Sequence, residues 1–251
     1  MEYLMAAALL PAIFLMWYIR KQDRIEREPT NFIYSIAALG AATTISAFIL
    51  EKCGESFLTM FLPKTDIVYI ALYYFLVVAG AEELGKFVVL RLRTWNAKEF
   101  NYTYDAVVFS VAASLGFAAL ENVLYVFIGG LSTAIARAVT AVPGHAMFGV
   151  FMGCHYGLAK RAAARGFKGI YMLEMLKAFL VPVVLHGFYD FCLSAPDWYW
   201  RGVFFLFYLA AIAVAFVTIR KLAAEDSPVD LDRWYDTHSS TDDMIDKNQP
   251  E

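Results

Sequence analysis

The stretch Ala79-Gly80-Ala81-Glu82-Glu83-Leu84-Gly85-Lys86 puts two adjacent carboxylates and an ammonium inside an apolar run from about Ile67 to Leu90. A run of that length crosses a bilayer as a helix, because about 20 residues span a hydrocarbon core about 30 Å thick. On an insertion scale each charged residue near the centre of such a helix costs roughly 2.5–3.5 kcal/mol. Groups this costly persist where they pair, face water, bind an ion or do chemistry. The surrounding chain is built for such a setting: of 251 residues 60% are hydrophobic and 18% charged, against about 45–50% apolar in soluble domains. A soluble fold cannot hide that much apolar surface. The fold class that follows is an all-α polytopic membrane protein, a helical bundle in the lipid bilayer.

Hydropathy marks seven spans, at about Tyr3–Ile19, Phe32–Leu50, Ile67–Leu90, Tyr104–Ile128, Arg137–Ala159, Leu173–Leu193 and Gly202–Ile219. The basic residues alternate between the connections. Arg20, Lys21, Arg24 and Arg27 follow the first span; Arg91, Arg93 and Lys98 follow the third; Lys160, Arg161, Arg165 and Lys168 follow the fifth; Arg220 and Lys221 follow the seventh. Basic loops stay in the cytosol, so the N-terminus is expected outside and the C-terminus inside a cell membrane. Residues 1–221 read as one transmembrane domain, and residues 222–251 as an acidic, disordered cytosolic tail that carries His238. Cys53, Cys154 and Cys192 are far apart and form no metal-binding pattern. No nucleic acid partner is expected.

Further polar groups interrupt the later spans. The fourth holds Phe117-Ala118-Ala119-Leu120-Glu121-Asn122, the fifth His145 and His155, and the sixth His186-Gly187-Phe188-Tyr189-Asp190. His186 and Asp190 share a helix face at their four-residue spacing. With Glu82, Glu83 and Lys86 they form a set drawn from four helices, the way bundles assemble metal and catalytic sites. Gly149, Gly153 and Gly157 form a ladder of small residues suited to close helix packing, and His155 reads as a hydrogen-bonded packing residue. By helical rise, Glu121, His145 and His186 lie roughly 10–14 Å below the outer surface and Asp190 about 5 Å, but Glu82 lies near 20 Å. Bringing them level requires a third span that starts later, or a break or tilt at Gly80 and Gly85.

Histidine with carboxylate is a ligand set for zinc or another divalent transition metal. Three protein ligands and an open position for water give hydrolytic chemistry, with a nearby carboxylate taking the proton. Two other classes fit the same residues. Intramembrane Glu, His and Asp chains serve proton- or ion-coupled transporters, though no internal repeat of the transporter kind is present. A catalytically silent membrane binding protein is the other.

Glu82-Glu83-Leu84-Gly85-Lys86 resembles the EExxK signature of the PrsW family of intramembrane proteases. Phe117 to Asn122 is similar to its FxxxEN element, and His145 and His186 through Asp190 to its later histidine motifs. That family is in turn similar to the type II CAAX prenyl proteases and bacterial CPBP proteins, whose EExxxR, FxxxH and HxxxN motifs are altered here at Lys86, Glu121 and Asp190. The resemblance implies a metal-dependent intramembrane protease that cuts a single-span substrate such as an anti-sigma factor on its extracytoplasmic side. It further implies Glu82 and Glu83, within the motif completed by Lys86, as activators of water. Glu121, His145 and His186 are then metal ligands, and Asp190 is a fourth ligand or the orienter of His186. In a metal-free variant of the scheme, Asn122 and a histidine stabilise the oxyanion.

Overall fold

The computed structural model describes residues 2–230; His238 and most of the acidic tail lie outside the described residues. The described chain is helical apart from one isolated bridge, Tyr102 with Pro228. Its helices are α1 (Glu2–Gln22), α2 (Thr30–Leu58), α3 (Ile67–Thr94), α4 (Asp105–Val139), α5 (Ala141–Ala164), α6 (Lys168–Ser194) and α7 (Tyr199–Ala224). All are apolar and long enough to cross a membrane, with α4 and α5 forming one 60-residue helical stretch. In hydrocarbon every backbone N–H and C=O must find its partner within the segment, which a helix provides and an open strand does not.

The centre of the bundle is α4. Every residue from Asp105 to Ala118 is buried, because alanine, serine and glycine dominate where neighbouring helices come closest. A Cβ on Gly116 would lie 2.0 Å from the Ala37 carbonyl oxygen, and one on Gly40 would lie 2.2 Å from that of Ala113. The crossing of α2 and α4 is therefore backbone against backbone, the packing mode that small residues permit in membranes. The glycine ladder of α5 plays the expected part on another face of α4. A Cβ on Gly153 would meet the Ala106 carbonyl oxygen at 2.6 Å, and one on Gly149 would meet Ser114 Oγ at 2.8 Å.

Two local features depart from seven plain spans. Residues Tyr73–Val78 of α3 form a turn of π-helix immediately before Ala79. The wider turn rotates everything after it relative to an ideal helix, and such turns cluster at functional sites. The second is in α4, where Gly130 has φ 70° and ψ −160°, conformations closed to residues with a Cβ. The chain reverses there: Val126 and Ala134 pack in one cluster, and Arg137 reaches back to Glu121. The connection expected between the fourth and fifth spans is thus a short helix folded back along α4, and Arg137 belongs to its end rather than to the start of α5.

At the basic end of the bundle, the segment after α7 is tied to the loop before α4. Thr103 N–H donates to the Ser227 carbonyl at 3.0 Å and Val229 N–H to that of Asn101 at 2.8 Å. Asp226 accepts from Tyr104 N–H at 2.8 Å and from the Thr103 hydroxyl at 2.9 Å. Burial pushes the Glu28 carboxyl of the neighbouring α1–α2 loop up to about 8 and that of Asp23 up to about 6.

Candidate active site

Glu82 and Glu83 on α3, His145 on α5 and His186 on α6 converge. One ligand atom from each lies within 4.8 Å of the others, and all four residues are buried. The depth mismatch expected for Glu82 is met neither by a late start of α3 nor by a break at Gly80 or Gly85, since the helix runs on through both. The π-turn precedes the pair, and the fold-back at Gly130 carries the start of α5 into the bundle before His145 is reached.

Each side chain in the group has a physical reason for its place. Lys86 Nζ sits 2.7 Å from Glu83 Oε1, 3.4 Å from Glu82 Oε2 and 3.1 Å from His145 Nδ1. It also lies 4.3 Å from the ring centroid of Phe117, a cation–π contact that helps an ammonium survive with no exposed surface. The i,i+3 and i,i+4 spacing within EExxK is what lets one lysine reach both carboxylates. His186 Nδ1 lies 2.8 Å from Glu83 Oε1, and its ring stacks on Phe148 with centroids 4.7 Å apart.

Both imidazoles turn Nδ1 into the group and bring Nε2 to a carboxylate on the cavity wall, and His186 Nε2 also lies 3.9 Å from Glu82 Oε2. His145 Nε2 is 3.0 Å from Glu121, and His186 Nε2 is 3.3 Å from Asp190. Glu121, expected from the family motif as a ligand, and Asp190, expected as a fourth ligand or the orienter of His186, touch the histidines and are not among the four grouped residues. Glu121 is itself held by Arg137 at 2.6 Å. Asn122 is committed elsewhere: its Nδ2 donates to the Ala8 carbonyl at 2.7 Å and its Oδ1 accepts from Arg137 Nε at 2.8 Å. Its amide thus ties α1 to the fold-back. His155 is a packing histidine as expected, 2.6 Å from Glu174.

A cavity of about 710 Å³ reaches the group, and Glu82, Glu121, Arg137, His145, His186 and Asp190 all line it. Glu83 is absent from its wall and has no exposed surface. Two residues of this cavity, Arg137 and Glu51, carry no signal in the sequence motifs. Both are charges at the edges of the hydropathy spans, Arg137 as the first residue of the fifth and Glu51 just after the second, where hydropathy alone gives a charge no special weight.

A divalent metal fits these donors. Two imidazole nitrogens and two carboxylates make a mixed N/O set of the kind zinc and its neighbours take. Glu83 Oε2 is buried with no hydrogen-bond partner, while Oε1 of the same carboxylate meets Lys86 and His186. An orphaned buried carboxylate oxygen is costly unless a cation or proton donor meets it.

The same chain regions carry its relationships. The profile described as PrsW family intramembrane metalloprotease matches residues 28–219. The chain is similar to the protein named Protease PrsW of Geobacillus kaustophilus, with 35% identity over 205 residues, 81% of this chain and 86% of that one. To the Bacillus subtilis protein of that name it is 31% identical over 214 residues, 82% and 90% of the two chains. The figures for Clostridioides difficile are 30% over 207 residues, 80% and 83%. No solved structure matches it. With its buried glutamate–histidine group beside a cavity that Glu82, His145 and His186 line, the chain belongs to the PrsW family of intramembrane metalloproteases.

Proposed function

We propose that the protein hydrolyses a peptide bond of a single-span membrane protein, as the first cut of an anti-sigma factor on the extracytoplasmic side, with zinc or a similar divalent metal held by His145, His186 and Glu83. The observation that carries this reading is the meeting of four ligand atoms from three helices beside a cavity that Glu82 lines and Glu83 does not. That difference divides the two glutamates: Glu83 is the buried ligand and Glu82 the base in contact with water. When bound, the metal supplies Lewis acidity and makes water at the site easier to deprotonate.

The protein's own groups do the rest. Glu82 takes a proton from the attacking water as its oxygen bonds to the scissile carbonyl carbon. It then delivers that proton to the amide nitrogen as the C–N bond breaks. Lys86 holds both carboxylates in place. Glu121 and Asp190 accept Nε2–H from His145 and His186 and so fix which nitrogen of each ring faces inward, the role outer carboxylates play around metal-bound histidines. Arg137 holds Glu121 for this purpose. The N-terminus is assigned to the outside, since the C-terminal ends of α1, α3, α5 and α7 carry the basic residues.

Cleavage in proteoliposomes tests the reading. Wild-type protein should cut a reconstituted single-span substrate near its extracytoplasmic boundary, and Glu82→Gln should lower the rate by at least about 10³-fold. Normal cleavage by Glu82→Gln would remove Glu82 as the base.

A further inference from the structure

We infer that Glu51 forms a subsite for a cationic side chain, lysine or arginine, that flanks the scissile bond of the substrate. The inference rests on the proteolytic function proposed above and names what the cavity selects. Glu51 lies on α2, a helix that supplies no member of the four-residue group, yet it lines the same cavity as Glu82, His186 and Asp190. It sits seven residues before the last residue of α2, Leu58, about 10 Å of helix from that end. A half-buried carboxylate on the wall of a largely apolar cavity normally has a partner or a task. Among the described residues the Glu51 carboxylate forms no ion pair and accepts no hydrogen bond. The neighbouring Lys52 is turned to Glu55 at 2.9 Å.

The charges facing Glu51 do not complete it from within. Glu121, Asp190 and His186 are its charged neighbours besides Lys52. Arg137, the one cationic guanidinium on the cavity wall, is spent on Glu121 at 2.6 Å. The cavity therefore has a surplus of acid, with an unpaired carboxylate held away from the catalytic group. Tyr73 and Tyr74 line the cavity with it, as does Phe48, whose ring already carries the Lys52 ammonium 5.7 Å from its centroid. Aromatic walls beside a carboxylate suit a long aliphatic stem ending in a positive charge, by packing and by cation–π attraction. An incoming lysine or arginine would supply the charge Glu51 lacks, and an anionic residue at that position would be repelled.

The test uses the full-length protein in proteoliposomes and three otherwise identical single-span substrates that carry Lys, Gln or Glu at each position flanking the cut in turn. Wild type should show, at one flanking position, a kcat/KM order of Lys over Gln over Glu, with roughly tenfold or more between the first two. In Glu51→Gln the Lys-to-Gln ratio should collapse to about one, and in Glu51→Lys the order should invert in favour of Glu. Three results overturn the subsite: a wild-type enzyme indifferent to charge at every flanking position, an unchanged ratio in both variants, or equal loss on all three substrates. If wild type cleaves none of the substrates, the proteolytic function fails first, and the subsite falls with it.

Discussion

At the scale of single residues, the site is an economy of charge in a medium that cannot screen it. Lys86 is the ammonium that meets both glutamates, so Lys86→Met should leave two buried carboxylates with only His186 beside them. Loss of one partner from a buried pair costs about 3–5 kcal/mol. The expected result is a markedly lower melting temperature in detergent together with loss of cleavage. Arg137 acts one step further out, through Glu121 and His145. Arg137→Ala should lower metal affinity or kcat by about 10- to 100-fold, the usual effect of removing a support of a metal-bound histidine. Isothermal titration with zinc and single-turnover kinetics would separate the two. Glu82, Glu83, His145 and His186 were legible in the sequence because a charge or imidazole amid lipid-facing residues is anomalous wherever the span boundaries fall. Arg137 and Glu51 were not, because each lies where a shift of a few residues decides between span and loop.

At the scale of elements, the site depends on two irregular turns and one close helix crossing. Gly116→Val would drive a side chain into the Ala37 carbonyl, where a Cβ already lies 2.0 Å away. The α2–α4 crossing would have to open, at a cost at or above the upper end of the 1–3 kcal/mol typical of overpacking. Gly202→Ala in α7 is the matched control: nothing lies within 4 Å of its Cβ, and alanine is the better helix former by about 0.5–1 kcal/mol. Thermal melts of the two variants should move in opposite directions. The seven helices and the glycine ladder of α5 were readable from hydropathy and spacing, which depend on local composition. The π-turn at Tyr73–Val78 and the reversal at Gly130 were not, because a turn of π-helix changes no apolar periodicity and Gly129-Gly130 falls inside a continuous apolar run. Straight-helix counting placed Glu82 out of line with the histidines, whereas their ligand atoms meet within 4.8 Å.

At the scale of the whole molecule, the two ends of the bundle differ in their chemistry. The basic end buries carboxyls in its loops, and burial, reinforced by the nearby Glu26, Asp23 and Glu99 charges, raises Glu28 from 4.5 to about 8. A carboxyl whose folded pKa exceeds its unfolded value binds more protons when folded, so between those two values stability falls as pH rises. Melting temperature should therefore decline between about pH 4.5 and pH 8, and Glu28→Gln, which keeps the shape without the ionisation, should flatten that decline. A slope unchanged in the variant would place the pH dependence elsewhere.

The opposite half of the molecule holds the chemistry, and its central claim is that His145, His186 and Glu83 bind a metal while Glu82 works on water beside it. Metal content per chain, measured alongside cleavage for wild type, Glu82→Gln and His186→Ala, tests this most directly. Wild type should hold about one divalent ion per chain, Glu82→Gln should keep that content without cleavage, and His186→Ala should lose both. Full cleavage by a wild-type protein stripped of metal, or equal metal content in wild type and His186→Ala, would contradict it.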